Sequence, residues 1–265
     1  MTAGVGAAVA PALLQGALVA LPRGNALGSL GRLRSPAWAA VLPGCIVVGT
    51  FGPLGAHSFA LGLILLAAVA TPPLAAVTVV AVARGPRAAL VALAAATALV
   101  AAFASGASGQ LSATILTALG AMAVGAALAR LIPARWVLAA FACMSVIDIV
   151  LLAVGIGQPA AAIVAHAAGN IPGPVFDHAH IGRVVLDYPD LVLPAVLGGF
   201  LAGQRGQFRA ALLVTVLAAV SLVVAPPHTM WPATVPVAAT LLALRTFGLP
   251  RVADVTSLVP EAKTA

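Results

Sequence analysis

Charge is almost absent from this chain for about 20 residues at a time, and that spacing governs what it can fold into. Of its 265 residues 62% are hydrophobic and only 7% are charged, with a mean hydropathy of +1.14. A water-soluble domain carries charge at roughly a quarter of its positions, so this sequence cannot cover a soluble surface and must be solvated by lipid. In hydrocarbon every backbone N–H and C=O needs a partner within the protein. Runs of ~20 apolar residues match a helix that crosses a bilayer core of ~30 Å. The expected fold is therefore all-α, a polytopic bundle.

Charged residues, Gly and Pro divide the chain into nine such runs, at roughly 3–21, 37–54, 57–83, 87–105, 111–129, 136–157, 184–203, 208–225 and 229–247. The third contains Pro72 and Pro73 and reads either as one kinked helix or as two halves. No basic residue precedes the first run and Arg23 follows it, so it reads as a retained helix rather than a cleaved signal peptide. Arg23, Arg32, Arg34, Arg84, Arg87, Arg130, Arg135, Arg205, Arg209, Arg245, Arg251 and Lys263 all fall after odd-numbered runs, which leaves only Arg183 of the 13 basic residues on the other side. By the positive-inside rule the N-terminus is outside and the C-terminus cytoplasmic. Residues 1–250 form a single membrane domain, with 251–265 as a short polar cytoplasmic tail. His57, His166, His178, His180 and His228 lie on or near the outer side.

The net charge of +7 comes from residues spaced singly or in pairs, without the basic stripe and stacking aromatics of a nucleic-acid surface. Nucleic acid is not an expected partner; membrane lipid is. Cys45 and Cys143 lie in apolar runs without metal-type spacing and read as small buried residues. There is no convincing internal repeat. Gly199 and Gly203 make one GxxxG step, a weak signal of close helix packing.

Two carboxylates interrupt the apolar runs: Asp148 in CMSVIDIVLLAVG and Asp190 in VVLDYPDLVLPAVLGG. An ionisable group at the centre of a membrane helix costs about 2.5–3.5 kcal/mol by insertion scales, so such residues are retained for function. They fall on consecutive runs, the sixth and seventh. At about 1.5 Å per residue, Asp148 lies ~15 Å and Asp190 ~10 Å from the outer helix ends, so the two can meet. Two carboxyls in low dielectric tend to share one proton, which suits them to activate water and protonate a leaving group. The competing structural reading has each aspartate satisfied locally, Asp148 by Ser145 one turn earlier.

The residues around this pair resemble the presenilin and signal peptide peptidase family of intramembrane aspartyl proteases. That family has nine helices, with one catalytic Asp on the sixth, another in a GxGD motif on the seventh and a Pro-Ala-Leu motif on the ninth. Here DLVLPAVL follows the family's pattern after the second aspartate, and WPATVP places Pro232, Ala233 and Thr234 at the Pro-Ala-Leu position. The resemblance covers about residues 136–240 and departs from the family in detail. Ile147 stands for the usual Tyr, Asp187 and Pro189 for the two glycines, and Thr234 for the Leu. It implies an intramembrane aspartic endopeptidase with Asp148 and Asp190 catalytic and Pro232, Ala233, Thr234, Pro189 and Asp187 lining the substrate side. Its substrates would be transmembrane or signal-peptide helices, with no cofactor and no metal. Pro189 and Pro194 remove backbone donors next to the site, which leaves main chain for an extended substrate to pair with. Asp187 also reads as a solvated carboxylate at a helix start.

Three other readings compete. A polytopic transporter would use Asp148 and Asp190 as a proton relay. Gly106-Ala107-Ser108-Gly109 reads like the GxSG nucleophile motif of rhomboid serine proteases, with His180 as its base. Asp177, His178 and His180, with His166 upstream, offer metal ligands on the outer loop, but no HExxH helix accompanies them. A solvated or pH-responsive loop is the favoured account of those histidines.

Overall fold

The computed structural model describes residues 2–23, 27–82, 86–104, 106–169, 174–176, 178–181, 184–224 and 234–246. Ten α-helices account for most of them: α1 (Thr2–Ala20), α2 (Val41–Gly55), α3 (His57–Val77), α4 (Pro86–Ala101), α5 (Ala107–Leu131), α6 (Ala134–Val154), α7 (Gly157–Gly169), α8 (Tyr188–Leu201), α9 (Gln207–Val224) and α10 (Thr234–Thr246). Between α7 and α8 lies one antiparallel hairpin, β1 (His178–Ile181) and β2 (Val184–Asp187). Among the described residues, five helical stretches are long and apolar enough to cross a membrane: Pro36–Gly55, His57–Val82, Ala107–Leu131, Ala134–Val154 and Gln207–Val224. Val9–Ala20, Arg87–Val100, Tyr188–Leu201 and Thr234–Thr246 are apolar but shorter. Large apolar side chains such as Leu66, Val69, Val80, Leu90, Phe103 and Phe208 are exposed, a surface that lipid solvates and water does not.

Each of the nine apolar runs contains a helix, but three details differ from the sequence expectation. The run expected to be helical from 184 instead begins as β2, and its helix starts at Tyr188. Val184 and Val185 are β-branched and pair with Ile181 and His180, and Pro189 then suits the first turn of a helix, where a missing N–H removes no intrahelical bond. The sixth run stops at Val154, because Gly155 adopts a left-handed cap (φ +73°) that only glycine takes without strain. A further helix, α7, follows it. Pro72 and Pro73 do not split the third run: α3 continues through both and passes into a wide π-type turn over Thr78–Val82. Neighbouring helices supply partners in such regions, and Thr78 Oγ1 donates to the Leu119 carbonyl at 2.6 Å.

Helix α5 is the axis of the molecule, buried on nearly every face and packed against α3, α4 and α8. Small residues make that possible. A Cβ at Gly125 would lie 2.5 Å from the Cβ of Ala195, and one at Gly199 2.8 Å from that of Ala129. On the far side of α8, a Cβ at Gly198 would lie 2.6 Å from the Leu18 carbonyl oxygen of α1. Backbones this close gain van der Waals contact where lipid leaves no hydrophobic drive between helices. Of the GxxxG step only Gly199 is such a contact; Gly203 lies beyond the end of α8 with φ +79° and no atom within 4 Å of its would-be Cβ.

The last carbonyls of α1 have no helical partners, and neighbouring side chains take them. Gln207 Nε2 donates to the Val19 and Pro22 carbonyls at 2.9 and 2.7 Å, and Arg87 Nη1 donates to that of Ala20 at 3.2 Å. At the same end, Ser35 N–H donates to Leu131 O at 3.0 Å and Arg34 Nε to Ile132 O at 3.3 Å. At the other end, Thr117 Oγ1 donates to the Phe176 carbonyl at 3.2 Å. Thr114 Oγ1 both donates to the His180 carbonyl and accepts from its N–H, each at 3.1 Å, which fastens β1 to α5.

A carboxylate cluster in an apolar cleft

A cleft of ≈ 2420 Å³ opens among α2, α3, α5, α6, α7 and the hairpin, and Asp148, Asp187 and Asp190 all line it. Three different elements deliver them. Asp187 closes β2, Asp190 sits in the first turn of α8, and Asp148 lies on α6. The three are within electrostatic reach of one another: Asp190 interacts with both Asp187 and Asp148, and Asp148 with Asp187. Asp148 and Asp190 are half-buried, whereas Asp187 is exposed.

Each carboxylate has a defined partner. Asp187 and Asp190 form a reciprocal capping box, in which Asp187 accepts from the Asp190 N–H and Asp190 Oδ2 accepts from the Asp187 N–H at 3.1 Å. That satisfies orphan donors of α8 and places negative charge at the positive end of its dipole. Asp187 is thus the cap of α8 rather than a residue within it. Asp148 Oδ2 accepts a 2.6 Å hydrogen bond from Thr234 Oγ1, and Thr234 is itself buried at the start of α10, which packs on α6, α8 and α9. Ser145 is not the local donor to Asp148: its Oγ is buried and has no hydrogen-bond partner among the described residues.

The altered helix ends also leave both aspartates nearer the ends of their helices than the apolar runs imply. Asp190 is three residues into α8 and Asp148 six residues before the end of α6, which at 1.5 Å per residue is about 5 and 9 Å from the helix ends. Pro189 occupies the first turn of α8 and Pro194 its interior, where the missing N–H leaves the Asp190 carbonyl without its helical partner. Thr240 Oγ1 donates to the Pro236 carbonyl at 2.9 Å. Pro232, Ala233 and Asp177 lie outside the described residues.

The competing residues do not gather into one centre. Ser108 lies in the first turn of α5, its carbonyl accepting from Ser112 Oγ at 2.7 Å. The Nε2 of His180 meets His178 Nε2 at 2.6 Å. His166, on α7, faces His57 at the start of α3 with ring centroids 6.3 Å apart. No group of three or more His, Cys, Asp or Glu is placed to hold a metal among the described residues. Cys45 and Cys143, expected to be buried, are exposed and form no disulfide, and Cys45 lines the cleft.

Two residues of the site carried little sequence signal. Tyr188, the only tyrosine in the chain, stands two positions before Asp190 and lines the cleft. Thr234 was expected on the substrate side, and its bond to Asp148 spans 86 positions, beyond the reach of any local pattern.

Fold and site together define a predominantly helical protein of membrane type with an acidic cluster at an apolar cleft. No protein-family model, curated protein or solved structure matches the chain.

Proposed function

We propose that this chain is an intramembrane aspartyl protease of the signal peptide peptidase type, hydrolysing peptide bonds within membrane-spanning helices. The observation that carries this reading is that Asp148 and Asp190, from two separate helices, line one cleft with mostly apolar walls and lie within electrostatic reach of each other. Two neighbouring carboxyls in a low-dielectric setting do not both ionise readily, so one of them holds a proton while the other is ionised. The ionised member takes a proton from water as its oxygen attacks the scissile carbonyl carbon, while the protonated member gives its proton to the carbonyl oxygen. Collapse of the resulting diol breaks the C–N bond, and a proton passes to the departing amine. The proline-interrupted backbone around the pair, together with the edge strand β2, which ends three residues before Asp190, suits main-chain pairing with an unwound substrate segment.

In this reading all nine apolar helices cross the bilayer, the shorter four by way of local thinning or flanking extensions. The cluster then opens toward the outer side and the arginine-rich ends toward the cytoplasm. Purified protein in proteoliposomes should cleave a membrane-spanning reporter, and Asp148→Ala and Asp190→Ala should each abolish cleavage. Proton movement across the liposomes without cleavage of any helical substrate would instead establish the carrier reading.

A further inference from the structure

The proposed hydrolysis leaves His178 and His180 unused. They are two apart on β1, so both project from the same side of the strand, and Asp187 is the ladder partner of His178. Their Nε2 atoms are 2.6 Å apart, with the rings at 80° and centroids 4.4 Å apart. At that separation one ring donates its Nε2–H to the Nε2 lone pair of the other, so the contact aims two imidazole nitrogens at a single point. The strand is held in this register. Thr114 clamps both the N–H and the carbonyl of His180, and Ala179 between the two histidines is fully buried.

We propose that His178 and His180 are a chelating pair for a late first-row transition-metal dication of the Zn²⁺, Ni²⁺ or Cu²⁺ kind. Imidazole nitrogen is the donor these metals prefer. Metal–nitrogen bonds of about 2.0–2.1 Å at square or tetrahedral angles set the two nitrogens roughly 2.9–3.4 Å apart, so the rings need to spread by only a few tenths of an ångström or slightly more. The carboxylate of Asp187 is engaged in capping α8, and no third protein ligand completes the set among the described residues. Water therefore fills the remaining positions. Both histidines line the same cleft as the carboxylates, so a bound dication shares that cleft with an acidic cluster that attracts it. The pair stands or falls independently of peptide hydrolysis.

Calorimetric titration of the full chain in detergent, free of any affinity tag, with Ni²⁺ and with Zn²⁺ tests this. One site per chain is expected, weakened at least tenfold in His178→Ala and in His180→Ala and unchanged in His166→Ala. Electron paramagnetic resonance of the Cu²⁺-loaded wild-type chain needs no variant and should show two coordinating imidazole nitrogens. Absence of binding by the wild type, equal binding by the double variant, or a Cu²⁺ spectrum without that nitrogen coupling overturns the proposal.

Discussion

Thr234 ties Asp148 to α10, as Asp187 ties Asp190 to the end of β2. The Thr234 hydroxyl donates to Asp148 Oδ2 at 2.6 Å, and a hydrogen bond to a charged group contributes about 1.5–3 kcal/mol. Replacing it by valine keeps the shape and deletes the donor. If the proposed hydrolysis is the activity, Thr234→Val should lower the cleavage rate constant about tenfold or more through misorientation of Asp148, with KM nearly unchanged, and Thr234→Ser should restore most of the rate. Equal rates for all three would remove Thr234 from the site. Asp187 poses a different question, since it caps α8 and also faces the cleft. Asp187→Asn preserves the capping acceptor, whereas Asp187→Ala removes it at a cost of about 1 kcal/mol in stability. A capping role predicts that only the alanine variant melts lower; a catalytic role predicts that asparagine alone already stops cleavage. At this scale the sequence was a partial guide. Lone carboxylates in apolar runs marked Asp148 and Asp190, because intramembrane charge is rare for energetic reasons. The bond from Thr234 was invisible, because it depends on how α10 lies against α6.

Elements were more legible than their ends. Apolar runs of helical length located a helix in each of nine places because hydrocarbon leaves the backbone few alternatives. The same argument is silent where the chain leaves the apolar layer, and there α7 and the β1–β2 hairpin went unread. Val184–Asp187 illustrates the cause: as a continuation of an apolar run it reads as helix, yet its ladder to His178–Ile181 is a pairing that no helical periodicity reports. Packing between elements makes a sharper forecast. Around Gly198 the nearest atoms to an added methyl are the backbone of Leu18 and Val19, at 2.6–2.8 Å, so it can be accommodated only by moving α1 off α8. Gly198→Ala should destabilise the protein by about 1–3 kcal/mol. Gly62, on α3, has nothing within 4 Å, and Gly62→Ala should be neutral or stabilising by up to about 1 kcal/mol through helix propensity. Unfolding titrations in mixed micelles compare the two directly. A destabilised Gly62→Ala beside an unaffected Gly198→Ala would mean that α1 does not dock on α8 this closely.

At the scale of the whole molecule, sidedness links the arginines to the site. Gln207 and Arg87 bind the last turn of α1, while Arg34 and Ser35 bind the end of α5, so the C-terminal ends of odd-numbered runs are drawn together with basic residues around them. The carboxylate cluster and the hairpin lie by the opposite end of α5, where Thr114 and Thr117 hold β1 and Phe176. Arginine is retained on the cytoplasmic side during insertion, so this polarity predicts that the cleft opens outward and that an odd number of crossings separates the two termini. Cysteine labelling can decide it. Cys45 and Cys143 are exposed and must first be replaced by alanine. Single cysteines at Ser35 and Gln204 should then react with a membrane-impermeant maleimide only after the cells are opened, and one at Val185, on the exposed face of β2, should react in intact cells. Labelling of all three from outside would mean that the charge pattern does not set the topology. Labelling of Ser35 and Gln204 from outside but not of Val185 would place the aspartates on the cytoplasmic side, where they would meet a different set of helical substrates.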